Sequence, residues 1–404
     1  MSEPTPKSSW RDVGARIVNG SALTSILSVV VALVVGAILI AAANAQVQTA
    51  ATYLFYRPGD FFAATWNTVS SAYSALFQGA VFNIDSSYTV ADFFAPLLNS
   101  VKMSVPLIFA GLALALGFRA GLFNIGGQGQ IVLGGTLCAY LGFTLHLPVV
   151  VHLIVCLLGA FVGGAVWGFI PGILKAKAGA NEVIVTIMLN SIATFLLGWL
   201  LTLDAFQKEG SNNPVSPAVD ATARLPQLLG SVDLGFPLAL AAAVGVWWLL
   251  ERSTLGFRIR AVGANPDAAR TAGMSVDTSY VWVMVIAGGL AGLAATSQLL
   301  STGDQQLTSA VAGTFGVDAI TVALLGRSKP LGTVLAGLLF GGLQAGGYLM
   351  QARTSTPIDV ILVLQSVIVL MIAAPPLVRA IFRLPDPERR RKKAVKAALK
   401  EVAS

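Results

Sequence analysis

The chain reads as an all-α integral membrane protein of about ten transmembrane helices, some broken or short, with both termini cytoplasmic. Three observations predict this. Of 404 residues, 55% are hydrophobic and only 11% charged, where soluble domains run nearer a quarter charged. Several apolar runs approach the ~20 residues that a helix needs to cross a bilayer. The basic residues gather in alternate short loops and at the C-terminal end, as membrane orientation requires. That clustering explains the net charge of +7 better than nucleic-acid binding does. Cys138 and Cys156 both lie in apolar runs, which makes them packing residues rather than a disulfide framework or a metal site.

In order along the chain, residues 1–21 form a polar, basic cytoplasmic tail and 22–374 the transmembrane domain. The first span is 23–43. Ala43-Asn44-Ala45 resembles a signal-peptidase site, but this apolar run exceeds a typical signal core of 7–15 residues, so a retained helix is expected. Residues 44–95, rich in aromatics such as Tyr53, Phe61 and Trp66, are expected to be an outer segment partly at the interface. The second span is 96–118. A glycine-rich piece follows, then an apolar run to 145 that is short for a crossing unless part of that piece also enters the membrane. Spans at 147–174 and 183–203 lead to an outer loop, 204–235. The span 236–250 enters a cytoplasmic loop, 251–279, and 280–300 returns. Residues 311–326 dip in, and 331–349 and 358–374 complete the ten. A basic tail, 375–404, suits contact with lipid headgroups. With this topology, only Arg57, Lys102, Lys208, Arg224 and Arg353 of the 26 lysines and arginines lie outside the inner loops and tails.

Many of the 41 glycines fall at small-xxx-small spacing, such as Gly159 with Gly163 and Gly337 with Gly341, which favours tight helix packing in lipid. The density at Gly126-Gly127-Gln128-Gly129 instead predicts a helix break, tolerated at membrane depth only under protein cover or beside a cavity. Broken helices place polar groups at a transporter's substrate, so Asn124, Gln128 and Gln130 are pathway candidates; a turn at the membrane edge is the competing reading. Glu182, Thr186 and Asn190, at i, i+4 and i+8, share one helix stripe. Thr186, Asn190 and the more isolated Gln298 join the candidates as intramembrane polar groups. Interhelical hydrogen bonding, with Glu182 paired to Lys175 or Lys177, is the competing reading. Asp318 and Gln344 also stand isolated in apolar runs, and His146 and His152 have no neighbours that would make a metal site.

The loop 251–279 contains instructions for one short helix, about 266–272. Asn265 is a good N-cap, Pro266 suits the first position, Asp267 favours the positive helix end, and Gly273 can take the left-handed C′ conformation. Such a helix is unstable alone and needs a surface, which points to a partner. The chain has no phosphate loop of the Walker type and no nucleophile–base pair. A transport protein without its own energy source is expected, with no catalytic residue, metal or cofactor of its own.

The strings GLFNIGGQGQ at 121–130, NEVIVTIMLN at 181–190 and RAVGANPDAARTAG at 260–273 together resemble the permease subunits of bacterial nucleoside and simple-sugar ABC importers, closest to the nucleoside branch. The likeness extends over about residues 95–375. It implies that Asn265, Pro266, Asp267, Ala268, Ala269, Arg270 and Gly273 form the coupling helix docking on an ATP-binding subunit, which holds ATP and magnesium in two ATPase modules. It also implies a second, paralogous permease chain, an extracellular substrate-binding lipoprotein and an inner-membrane location. Relatives often have glutamate where Gln128 stands, so a role needing charge there is not available. The alternatives are a ribose-type sugar permease, an ion-coupled secondary transporter or channel, and a membrane scaffold.

Overall fold

The computed structural model describes residues 21–84, 90–301, 305–357, 359–374, 377 and 380–383. Almost all of the N-terminal tail and most of the basic C-terminal tail lie outside them. The regular elements among the described residues are α-helices, one 3₁₀ turn and a small hairpin of β1 (Gln227–Leu229) and β2 (Val232–Asp233). The helices are α1 (Ser21–Ala43), α2 (Ala45–Thr52), α3 (Pro58–Ala80), α4 (Val90–Arg119), α5 (Gly127–Thr144), α6 (Val149–Ala178), α7 (Glu182–Leu200) and α8 (Gly235–Arg252). They continue with α9 (Thr254–Ala264), α10 (Pro266–Thr271), α11 (Val276–Ala294), α12 (Thr296–Leu299), α13 (Phe315–Leu325), α14 (Pro330–Thr354) and α15 (Asp359–Ala373).

Among the described residues, five helices are long and apolar enough to cross a membrane, or seven if each of two bent pairs is one span. The ten segments expected from hydropathy include several that form shorter helices. At 1.5 Å per residue, the 11 residues of α13 reach about half of a ~30 Å hydrocarbon core. α5 is 18 residues long and begins with Gly-Gln-Gly-Gln. Segment 44–95, expected to be an outer segment partly at the interface, contains two helices and the start of α4.

Two compact units are present. In the unit formed by residues to 69 and from 359, α1 lies along α15, with Ala32, Ile40, Leu364 and Ile368 buried. The chain bends by 75° between α1 and α2. Asn44 sits at that bend as an N-cap, its side-chain oxygen accepting from the Gln46 and Val47 amides at 2.9 and 3.2 Å. The signal-like Ala-Asn-Ala string is therefore a helix start in the folded chain.

In the unit 70–358, α4 is the core helix. Leu107, Ile108, Leu112, Leu114 and Leu116 are fully buried, and α8, α11, α13 and α14 pack around it. α6 and α11 meet along a seam of small residues. A Cβ on Gly164 would strike Gly288 O and lie 2.9 Å from Gly292 Cα, and one on Gly168 would lie 3.1 Å from Gly288 Cα. Only hydrogen fits there, so the two backbones touch. This is the contact that replaces hydrophobic driving force between helices in lipid. α7 packs less: Ile184, Ile187, Met188, Ile192, Phe195 and Trp199 are exposed, an apolar face suited to lipid or a neighbouring chain. The 204–235 loop is pinned by its backbone, with the Ser216 amide donating to Leu307 O at 3.0 Å and the Leu225 amide to Leu300 O at 2.7 Å. His152, given no role from sequence, is buried and joins α6 to this loop through Thr222 Oγ1 at 2.7 Å. In the same loop, the backbone amide of Thr222, then its hydroxyl, hold the Asp220 carboxyl below the usual range.

Overpacking a filled core costs about 1–3 kcal/mol, so Gly288→Ala is expected to lower the thermal unfolding midpoint of the detergent-solubilised protein. Gly198→Ala on α7, where an added Cβ meets nothing within 4 Å, is expected to leave the midpoint unchanged or raise it.

Candidate functional site

The site forms where α4 stops and α5 starts. After Arg119 the chain turns, with the Leu122 amide donating to Gly117 O at 3.0 Å and Gly121 left-handed at φ +72°. Residues 120–126 are not helical, which leaves backbone groups unpaired inside an apolar bundle. Side chains complete them. Asn124 accepts from the Gly126 amide at 2.9 Å and donates to Gln130 Oε1 at 3.2 Å. Both side chains are buried, with 1% exposure each.

The decisive contacts come from another helix. Asn190 on α7 accepts from the Gly129 amide at 2.8 Å and donates to Ile125 O at 2.9 Å. Gly126, at the N-cap position of α5, has no side chain to offer. Asn190 takes that part from across the bundle, satisfying an orphan donor of the first turn and a carbonyl of the break. The approach is tight. A Cβ on Gly126 would lie 3.0 Å from Thr186 Cβ, and one on Gly129 would lie 2.7 Å from Trp167 Nε1. The Glu182–Thr186–Asn190 stripe thus faces the break, with Thr186 buried beneath Gly126 and Glu182 ion-paired to Lys175 at 2.8 Å.

One expectation needs correction. Gly126-Gly127-Gln128-Gly129 was expected to break the helix, but 127–129 are its first turn. Gly129 admits α7 and Trp167 to the backbone, Gly127 lies against Leu114 and Gly316, and the break lies just before them. Gln128 is half-buried and faces the start of α13, its Nε2 donating to Gly313 O at 3.1 Å. Its Oε1 is buried without a partner, as is Trp167 Nε1. Gln298 is exposed on α12 and makes no hydrogen bond to this cluster. Asp318 and Gln344, isolated in sequence, meet in space: the Asp318 carboxylate accepts from Thr314 Oγ1 at 2.7 Å and Gln344 Nε2 at 3.1 Å. The four-residue spacing of Thr314 and Asp318 was the only signal of it.

The loop helix forms as its caps dictate. Asn265 accepts from the Asp267 and Ala268 amides at 3.0 Å each, Pro266 opens α10, and Gly273 is left-handed at φ +80°. Pro266, Asp267, Ala268 and Arg270 are exposed. Ala269, expected on the docking face, is 4% exposed and packs with Val262 and Val276. Neighbouring helix residues point about 100° apart, so the face that holds Ala268 outward turns Ala269 in. Among the described residues no group of three or more His, Cys, Asp or Glu could hold a metal.

Residues 97–374 match the model of a family described as the permease component of branched-chain amino acid transport systems. This chain belongs to that family. It is 37% identical over 318 residues to the guanosine ABC transporter permease protein NupP of Bacillus subtilis, covering 74% of this chain and 90% of that one. It is 33% identical to the nucleoside ABC transporter permease protein NupB of Lactococcus lactis, over 66% and 76% of the two chains. The glucose ABC transporter permease protein TsgB13 of Haloferax volcanii is 34% identical, over 68% and 75%. No solved structure matches. The chain is thus an ABC transporter permease, a multi-pass protein of the bacterial plasma membrane, and a transport component rather than an enzyme.

Replacing Asn190 by leucine leaves Gly129 N–H and Ile125 C=O unpaired, each worth about 1–3 kcal/mol. Asn190→Leu is expected to lower both the unfolding midpoint and uptake sharply. Asn213→Leu, at an exposed position in the 204–235 loop, is expected to change neither.

Proposed function

We propose that this chain is a permease subunit of an ABC importer that brings nucleosides across the bacterial inner membrane. The observation that supports it best is the chemistry of the break. Asn124, Gln128, Gln130, Thr186 and Asn190 are all uncharged, and at the first turn of α5 lie an unpaired donor, Trp167 Nε1 of α6, and an unpaired acceptor, Gln128 Oε1. A neutral solute with both hydrogen-bond donors and acceptors matches such a lining; an ion does not. The guanosine and nucleoside permeases among the relatives support the same solute class. A simple sugar is the second reading, favoured by the 34% identity to the glucose permease.

In this reading the exposed face of 265–273 docks on an ATP-binding subunit with two ATPase modules, where ATP and magnesium reside. Solute released by an extracellular lipoprotein enters between this chain and a second, paralogous permease, for which the exposed apolar face of α7 is the candidate contact. Closure of the ATPase pair displaces the docking helix, and the spans beside the break change their tilt. The chain alone would not pump, which separates this reading from an ion-coupled transporter.

The test is uptake into proteoliposomes by the assembled importer and by this chain alone. ATP-dependent uptake of radiolabelled guanosine, resistant to excess glucose and ribose, is expected only from the assembly. Uptake by the chain alone in an ion gradient would overturn the reading, and competition by sugar would favour the second one. Ala268→Arg is expected to weaken docking at least about tenfold, ~1.4 kcal/mol, and to reduce transport while solute binding to the lipoprotein is unchanged.

A further inference from the structure

The helix that leads into the docking helix, α9, rests on the end of α4 through a direct backbone contact. Gly263 is in the last turn of α9, two residues before the Asn265 cap. A Cβ there would strike Arg119 O and lie 2.9 Å from Ala120 C, and one on Gly121 would lie 3.4 Å from Gly263 O. The main chain of α9 therefore rests on the main chain of 119–121, where α4 ends. No side chain intervenes to absorb a displacement. In close-packed matter such a contact transmits movement rather than cushioning it.

Both sides of the contact are held. α9 is capped by Ser253, whose Oγ accepts from the Gly256 amide at 2.9 Å, and a Cβ on Gly256 would lie 2.7 Å from Leu250 Cα. Ile259 and Val262 are fully buried. Beyond the contact, Arg119 Nε donates to Ser328 O at 2.9 Å in the turn between α13 and α14. Residues 120–126 then run directly to Asn124 and the Asn190 contacts. One direct route from the Asn265 cap to the pathway candidates has a single non-covalent step, Gly263 on Ala120.

We infer that Gly263 is a positioning residue of the transport cycle, the joint through which movement of the docking helix reaches the break at 120–126. The inference rests on the docking assignment made above and adds the route by which docking acts. Side chains at 263 would separate the two main chains and let α10 move without the break following. The expected result is uncoupling: ATP is hydrolysed but solute is not moved.

Two measurements on the assembled importer test it. The first is amide hydrogen exchange of the wild-type complex in the nucleotide-free and vanadate-trapped states. Changes in both 259–273 and 119–126 are expected. Change in 259–273 without change in 119–126 would overturn the joint while leaving docking intact. No change in either would overturn the docking assignment and the joint with it. The second is guanosine uptake per ATP hydrolysed. Gly263→Ala is expected to reduce this ratio about tenfold with ATP hydrolysis retained. Gly245→Ala, where an added Cβ meets nothing within 4 Å, is expected to leave it unchanged. A Gly263→Ala complex with the wild-type ratio would overturn the inference, and if that variant does not assemble, the exchange measurement decides.

Discussion

A break in a membrane helix must find partners for its freed backbone groups, and here one asparagine on a different helix supplies two of them. An amide or carbonyl buried away from water without a partner costs about 1–3 kcal/mol. Asn190 removes that cost at Ile125 and Gly129 together. The position of α7 against α5 follows from it, as does the need for glycine at 126 and 129, where larger residues would hold α7 away. The break persists because a second element makes it cheap.

The remainder of the unit 70–358 is organised by close approach rather than by large side chains. The α6–α11 seam brings backbones into contact at Gly164, Gly168, Gly288 and Gly292. The same device recurs where α9 rests on the end of α4. Small residues thus serve two ends: they hold the bundle where lipid offers no hydrophobic gain, and they bring the main chains of α9 and α4 into direct contact.

Much of this was legible in the sequence because it rests on local chemistry. The caps of α10 are single-residue preferences, so Asn265, Pro266 and Gly273 could be assigned before any fold. The helix stripe of Glu182, Thr186 and Asn190 is periodicity, and its Lys175 partner was foreseen among two candidates. What sequence did not reveal was tertiary. Gly127 and Gly129 read as helix breakers on propensity, yet they are helical because packing, by Leu114 and Gly316 at Gly127 and by α7 and Trp167 at Gly129, outweighs ~1 kcal/mol of glycine penalty per residue. Asp318 and Gln344, 26 residues apart, could not be paired without the fold. The inward turn of Ala269 depends on a small cluster with Val262 and Val276 that flanks α10 in sequence but closes only in space.

The neutrality of the break has an electrical consequence. A charge crossing a membrane held at 100 mV exchanges about 2.3 kcal/mol with the field, which is how voltage takes hold of a protein. Amides, a hydroxyl and glycines offer it no such handle. A rearrangement among Asn124, Gln130, Thr186 and Asn190 would carry no net charge through such a field.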